Sequence, residues 1–175
     1  MNAMRFFRLV VRGIWGGALK YLLLFPLLCV NYAFGVELSS LCPANTCEIK
    51  NPQNEITNNT NFNKSTNISI QTQITNFINY NDINIGTNTI NVNGAGNTIT
   101  NLINYGTIIA GDGNNSNHKG ASLASWSNGH FHNIYNYGYI SGAITVAKSE
   151  NDKLYITNYG TMGGVDTDNG GLEMR

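Results

Sequence analysis

Three groups of residues in this sequence could carry chemistry. His130 and His132 stand two apart, so an extended strand would present both imidazoles on one face, where a metal ion could bind. No third ligand accompanies them, because His118 falls in a Gly/Asn/Ser-rich stretch and Asp112 is distant. Asp166 and Asp168 also share parity and could form an acid pair of the kind lyases or glycosidases use. Gly163-Gly164 and Gly170-Gly171 flank them, a setting in which solvated turn carboxylates are ordinary. Gly111-Asp112-Gly113-Asn114 has the composition of one unit of a calcium-binding Gly/Asp repeat, but a single copy reads more simply as a turn. No Gly-x-Ser-x-Gly occurs, and no Cys/His or Ser/His/Asp arrangement stands out. Asn58, Asn63, Asn67 and Asn114 satisfy Asn-x-Ser/Thr, matches that chance supplies in a chain so rich in Asn and Thr. The sequence assigns no catalytic residue, no metal and no cofactor.

Positioning any of these groups falls to a recurring phrase. Asn104-Tyr105-Gly106, Asn136-Tyr137-Gly138 and Asn158-Tyr159-Gly160 are full copies, and Asn79-Tyr80-Asn81 is a weaker one. Two residues before each Asn stand Phe77, Leu102, Ile134 and Ile156, and four after it stand Ile83, Ile108, Ile140 and Met162. All eight are apolar and share the parity of the Asn, so they lie on one face of an extended chain. Tyr and the residue three after the Asn (Asp82, Thr107, Tyr139, Thr161) fall on the other face. Gly86, Gly111, Gly142 and Gly164 close the units.

The copies recur at intervals of roughly 20 to 30 residues, the mark of a solenoid or array. One unit cannot bury its own apolar face, so units must stack. Period 2 inside the unit makes the stacked element strand rather than helix. These features predict an all-β fold, a right-handed parallel β-helix or β-solenoid. Equivalent residues would then sit about 4.8 Å apart in adjacent coils, with apolar columns inside and Tyr rings outside, one above another. Each Asn would mark a bend where its amide bonds the backbone and its neighbour's amide. Gly after Tyr suits a corner needing positive φ or a close backbone approach. An Asn- and Tyr-rich composition alone would produce triplets, but not the matching flanks.

Composition agrees with strands and turns. Asn, Thr, Ile, Gly and Tyr dominate, and no proline follows Pro52 to interrupt a ladder. Charged residues make up 11% of the chain with a net charge of zero, which argues against a nucleic-acid surface and against a charged disordered tail.

Residues 1–35 read as an export signal. Arg5, Arg8, Arg12 and Lys20 precede an apolar run from Tyr21 to Val30, long enough for a signal and short for a membrane span. Ala33-Phe34-Gly35 places small residues where a signal peptidase reads, which predicts cleavage before Val36. The rival is an uncleaved anchor over Val10 to Val30, against which Pro26 and the flanking small residues weigh. The remaining chain allows roughly five or six coils. Cys29 leaves with the signal; Cys42 and Cys47 remain. An oxidising compartment makes a small disulfide loop their first reading, with free thiols as the alternative. Residues 36–67 are expected to form a polar N-terminal cap or linker and 68–175 the solenoid. Ile68 to Ile74 alternates and should be a strand, and Gly94-Ala95-Gly96-Asn97 a turn. Gly111 to Gly129 shows no clear alternation and reads as a loop extruded from one corner, a common place for binding. Trp126 in it is either a contact residue or the side chain that packs the loop back.

The units Ile78-Asn-Tyr-Asn-Asp-Ile83, Ile103-Asn-Tyr-Gly-Thr-Ile108, Tyr135-Asn-Tyr-Gly-Tyr-Ile140 and Thr157-Asn-Tyr-Gly-Thr-Met162 resemble the Asn-x-Gly-x-Ile-x-Gly coils of bacterial type V autotransporter passengers. The long basic signal is similar too. The nearest flavour is that of the Asn-rich passengers of Helicobacter and Campylobacter relatives, including the vacuolating-toxin-like group. The resemblance covers the signal and about 100 residues at the level of architecture. It implies export by the general secretion machinery through the periplasm, then display at the outer membrane and cell surface, or release. The expected role is non-catalytic, an adhesin or toxin-like stalk meeting a host-cell receptor or matrix, with no nucleic acid and no small-molecule substrate. Family members carry a C-terminal membrane β-barrel, and no series of amphipathic strands follows residue 164. The chain therefore reads as an N-terminal fragment or a truncated reading frame. Adhesins, toxins and proteases all occur in the family, so it fixes no activity. The rival readings are a secreted β-helix polysaccharide lyase or hydrolase and a fragment without its own activity.

Overall fold

The structure is a computed structural model that describes residues 35–43, 47–63, 67–85, 88–110, 121–146, 153–163, 165–167 and 172–174. Residues 1–34 of the expected signal lie outside that set, as do Asp112, His118 and Asp168.

The described chain winds as a β-solenoid of about four turns. Its strands fall into three sheets, one for each side of the coil. The first holds β1 (Val36–Glu37), β3 (Gln53–Asn58), β5 (Gln73–Asn79), β8 (Thr98–Asn104), β11 (His130–Asn136), β14 (Leu154–Asn158) and β17 (Leu172–Met174), in that order. The second holds β2 (Cys47–Ile49), β4 (Ile68–Ile70), β7 (Asn88–Asn93), β10 (Ala121–Trp126), β13 (Ala143–Val146) and β16 (Val165–Thr167). The third holds β6 (Asp82–Ile85), β9 (Thr107–Ala110), β12 (Tyr139–Ile140) and β15 (Thr161–Met162). The strand pairs are parallel. A parallel pair cannot be joined by a hairpin and needs a crossover. Here each crossover is the other two sides of the coil.

Register files like residues into columns. Ile56, Phe77, Leu102, Ile134 and Ile156 face one another in succession on the first sheet. Ile83, Ile108, Ile140 and Met162 do so on the third. The first of these columns is buried throughout, and in the second only Met162 is partly open. On the second sheet Cys47, Ile68, Ile90, Leu123 and Ile144 form the matching column. Both columns expected from the repeat are therefore present. β-branched and aromatic side chains suit this half-buried pleat, and each fully buried one contributes about 1.5–3 kcal/mol.

The coil departs from the sequence reading in three places. Ala121–Trp126, expected within a loop from Gly111 to Gly129, is a core strand: Ala121, Ser122, Leu123, Ala124 and Ser125 are all buried. Its Ala and Ser residues erase the hydrophobic alternation that betrays a strand. The rest of that stretch, 111–120, lies outside the described residues. Second, Gln53–Asn58, expected in the cap or linker, pairs with β5 along most of its length. Phe62 bridges to Ile83 as a further rung of the third side. Third, the expected strand from Ile68 to Ile74 is two strands, because the coil turns a corner at Gln71 and Thr72. The described strands make about four turns. The first rung is partial, since the short helix α1 (Leu38–Leu41) follows β1 where an inner strand would otherwise run. A disulfide joins Cys42 and Cys47, both buried, next to this helix.

Candidate functional site

The corner after the long strand gathers the repeated residues. In β8 the inward side chains are Ile99, Leu102 and Asn104, and two consecutive residues, Thr100 and Asn101, turn outward between the first two. β5 and β11 have the same pattern. That slip brings the Asn side chain to the inner edge of the corner, where it is cut off from water.

Asn58, Asn79, Asn104 and Asn136 are fully buried. Each side-chain amide donates to the carbonyl oxygen of the next Asn along the stack: Asn58 to Asn79, Asn79 to Asn104 and Asn104 to Asn136 at 2.8 Å, and Asn136 to Asn158 at 2.7 Å. The same Nδ2 groups also reach corner carbonyls, as Asn104 does to Gly106 O at 3.1 Å and Asn136 to Thr161 O at 3.0 Å. Burying an amide without partners is costly. A continuous file satisfies its inner members from their neighbours and fixes the register of the coils.

One residue on, the tyrosines point out. Tyr80, Tyr105, Tyr137 and Tyr159 form a row with successive ring centroids at 5.4, 5.0 and 5.2 Å and ring planes within 6–14° of parallel. Stacking at such separations contributes about 0.5–1.5 kcal/mol per pair. The glycine that follows is required by proximity rather than by left-handed backbone. A Cβ at Gly106, Gly138 or Gly160 would collide with the carbonyl oxygen of Asn81, Gly106 or Gly138 respectively. The weak copy has Asn81 there, and its turn is the one on which Gly106 rests.

Two features were missed in the sequence. Asn58 heads the file, and with Ile56 before it and Phe62 after it forms a fifth, degenerate copy. The flanking apolar positions would have found it, although Asn59 replaces Tyr. A second file, Asn76–Asn101–Asn133, runs along the outside of the long strands, with Asn101 Nδ2 donating to Asn76 Oδ1 and Asn133 Nδ2 to Asn101 Oδ1, both at 3.0 Å. All three stand three residues before their anchor Asn, a column as legible as the apolar ones.

The other candidates do not assemble into a site. His130 and His132 lie on the outward side of β11, half-buried, with ring centroids 6.4 Å apart. Among the described residues no three His, Cys, Asp or Glu side chains gather to hold a metal. Asp166 lies within β16, and its expected partner Asp168 lies outside the described residues. Asn58, one of the Asn-x-Ser/Thr matches, is sealed inside the coil. Trp126 ends β10 opposite Asn93, and its carbonyl accepts from Gly94 N at 3.2 Å and Gly129 N at 2.9 Å. The expected turn at Gly94–Asn97 is present, with φ of 102° at Gly94 and 79° at Gly96. Comparison with protein-family models, with curated proteins and with solved structures gave no match.

Proposed function

We propose that this chain is the exported solenoid portion of an autotransporter passenger and acts by display, as a surface adhesin or toxin-like stalk without catalysis. The observation that supports the reading is the unbroken file from Asn58 to Asn158 beside the outward tyrosine row. A coil locked in register at every turn is a rigid rod, suited to holding a contact surface away from a membrane. Several of the described carboxylates already serve the coil: Glu37 bonds Asn59 and Glu48 pairs with Lys50. In this reading residues 1–35 are removed by the general secretion machinery. The exported chain carries five or six coils once the partial first rung and the strand Leu172–Met174 are counted. Its partner is a host-cell receptor or matrix, reached at the outer membrane or after release.

Expression of the full chain in a Gram-negative host tests this. Recovery from the periplasm with Val36 as the new N-terminus is expected, together with attachment of the purified rod to host cells. A cytoplasmic chain that still begins at Met1 contradicts export. A processed rod that attaches to nothing contradicts the adhesin role.

A further inference from the structure

Tyr80, Tyr105, Tyr137, Tyr139 and Tyr159 are exposed by 44–71%, and the only other exposed large apolar side chain among the described residues is Val36, in the first rung. The exposed apolar surface is thus concentrated at one corner rather than scattered. Contiguous patches of this kind on soluble proteins mark interaction sites. The stacking itself decides what a ligand meets. The ring faces cover one another, so the row presents ring edges and phenol hydroxyls, each able both to donate and to accept. In the four rungs that carry the row, Asp82 is the one charged side chain in it or in the columns on either side. A polyanion such as nucleic acid or a sulfated glycan needs cations that are missing from this strip.

Periodicity narrows the class further. Successive ring centroids lie 5.0–5.4 Å apart up the stack, on rungs about 4.8 Å apart. A polyproline II peptide advances about 3.1 Å per residue and an extended strand about 3.3 Å, so neither keeps step with successive rungs. An extended chain of β-1,4-linked hexoses does, because each sugar advances by about one rung and offers only uncharged hydroxyl or acetamido groups. We propose that the tyrosine row binds an uncharged, extended polymer of β-linked hexoses lying along the axis, one sugar per rung. The proposal rests on the reading of the rod as a displayed contact surface, and it moves the contact from the 111–129 stretch to this corner.

Calorimetric titration of the purified chain with chito- and cello-oligosaccharides, dimer to hexamer, tests it. Affinity is expected to climb up to the tetramer, matching the four stacked rings, and then to level off. Tyr105→Phe keeps the stack and loses one hydroxyl, so it should weaken tetramer binding about fivefold with the fold unchanged. Tyr105→Ala combined with Tyr137→Ala should abolish binding. No heat with any oligomer, no dependence on length, or a Phe variant that binds as well as the parent would overturn the proposal. So would stronger binding of a polyproline peptide or of heparin fragments. Titration needs only folded protein, so its failure leaves the export reading standing, and a failure of export leaves the titration interpretable.

Discussion

Asn58 and Asn104 occupy the same column, yet their surroundings differ. Asn104 accepts from Asn79 below and donates to Asn136 above, with Gly106 O and Tyr139 O as further acceptors. Asn58 donates to Asn79, but its Oδ1 is buried and finds no donor among the described residues. The register that sets Val36 against Ile56 and Glu37 against Thr57 brings the apolar Leu38 to the next position. Where a tyrosine ring would extend the outer row, Glu37 instead receives Asn59 N at 3.0 Å and Asn59 Nδ2 at 2.7 Å. The difference teaches that the repeat propagates itself but does not terminate itself. Ending the file takes different chemistry: an asparagine held by a carboxylate in place of a ring, an aliphatic side chain in place of an amide, and a short disulfide-closed helix in place of a strand.

Substitution along the file should expose that asymmetry. Asn104→Leu removes bonds to both neighbours and strands buried amide atoms on Asn79 and Asn136. A loss of about 4 kcal/mol is expected. Asn58→Leu breaks one bond and also removes an acceptor that is already unpartnered, so its cost should be about 2 kcal/mol or less. Denaturant midpoints at constant slope measure both, and equal losses would mean that position in the file is irrelevant. Leu123→Ala compares the cryptic strand with the overt ones and should cost about 3 kcal/mol. A surface loop would register within about 0.5 kcal/mol. On the outer row, Tyr105→Ala loses two stacking contacts and about 1–2 kcal/mol, whereas Tyr105→Phe should be nearly silent in stability. Glu37→Gln should cost about 1 kcal/mol, because both carboxylate oxygens accept from Asn59 and the amide keeps one of those acceptors but loses the other and the charge.

The same contrast explains what could be read from the sequence. The columns around Asn104, Asn136 and Asn158 were legible because large apolar residues repeat at fixed offsets from a conspicuous triplet. Asn79 was legible despite its missing glycine for the same reason. Asn58 escaped because Asn59 and Thr60 replace Tyr and Gly, and the eye follows the triplet rather than its flanks. β10 escaped for a different reason. Leu123 is its one large inward residue, and Ser125 stands in register with Val92 and Ile70, so hydrophobicity carries no period there. Its register against β13 also shifts between Ala121 and Leu123, which blurs any fixed spacing. Nothing in local pattern distinguishes such a strand from a loop; only the neighbouring turn does. The tyrosine row was legible as an outward stack, while its standing as the main exposed apolar strip required the burial of everything around it.

The central claim is that like residues of successive turns meet in files, and paired cysteines test it most directly. Ile103 and Tyr135 are register partners on the outward side of β8 and β11, close enough in a parallel pair for a disulfide. Ile103→Cys with Tyr135→Cys should cross-link on mild oxidation and give one linked peptide by mass spectrometry. Ile103→Cys with Asn133→Cys, two residues out of register, should stay unlinked. Equal cross-linking of the two pairs, or linkage of the second alone, would contradict the stacked coil.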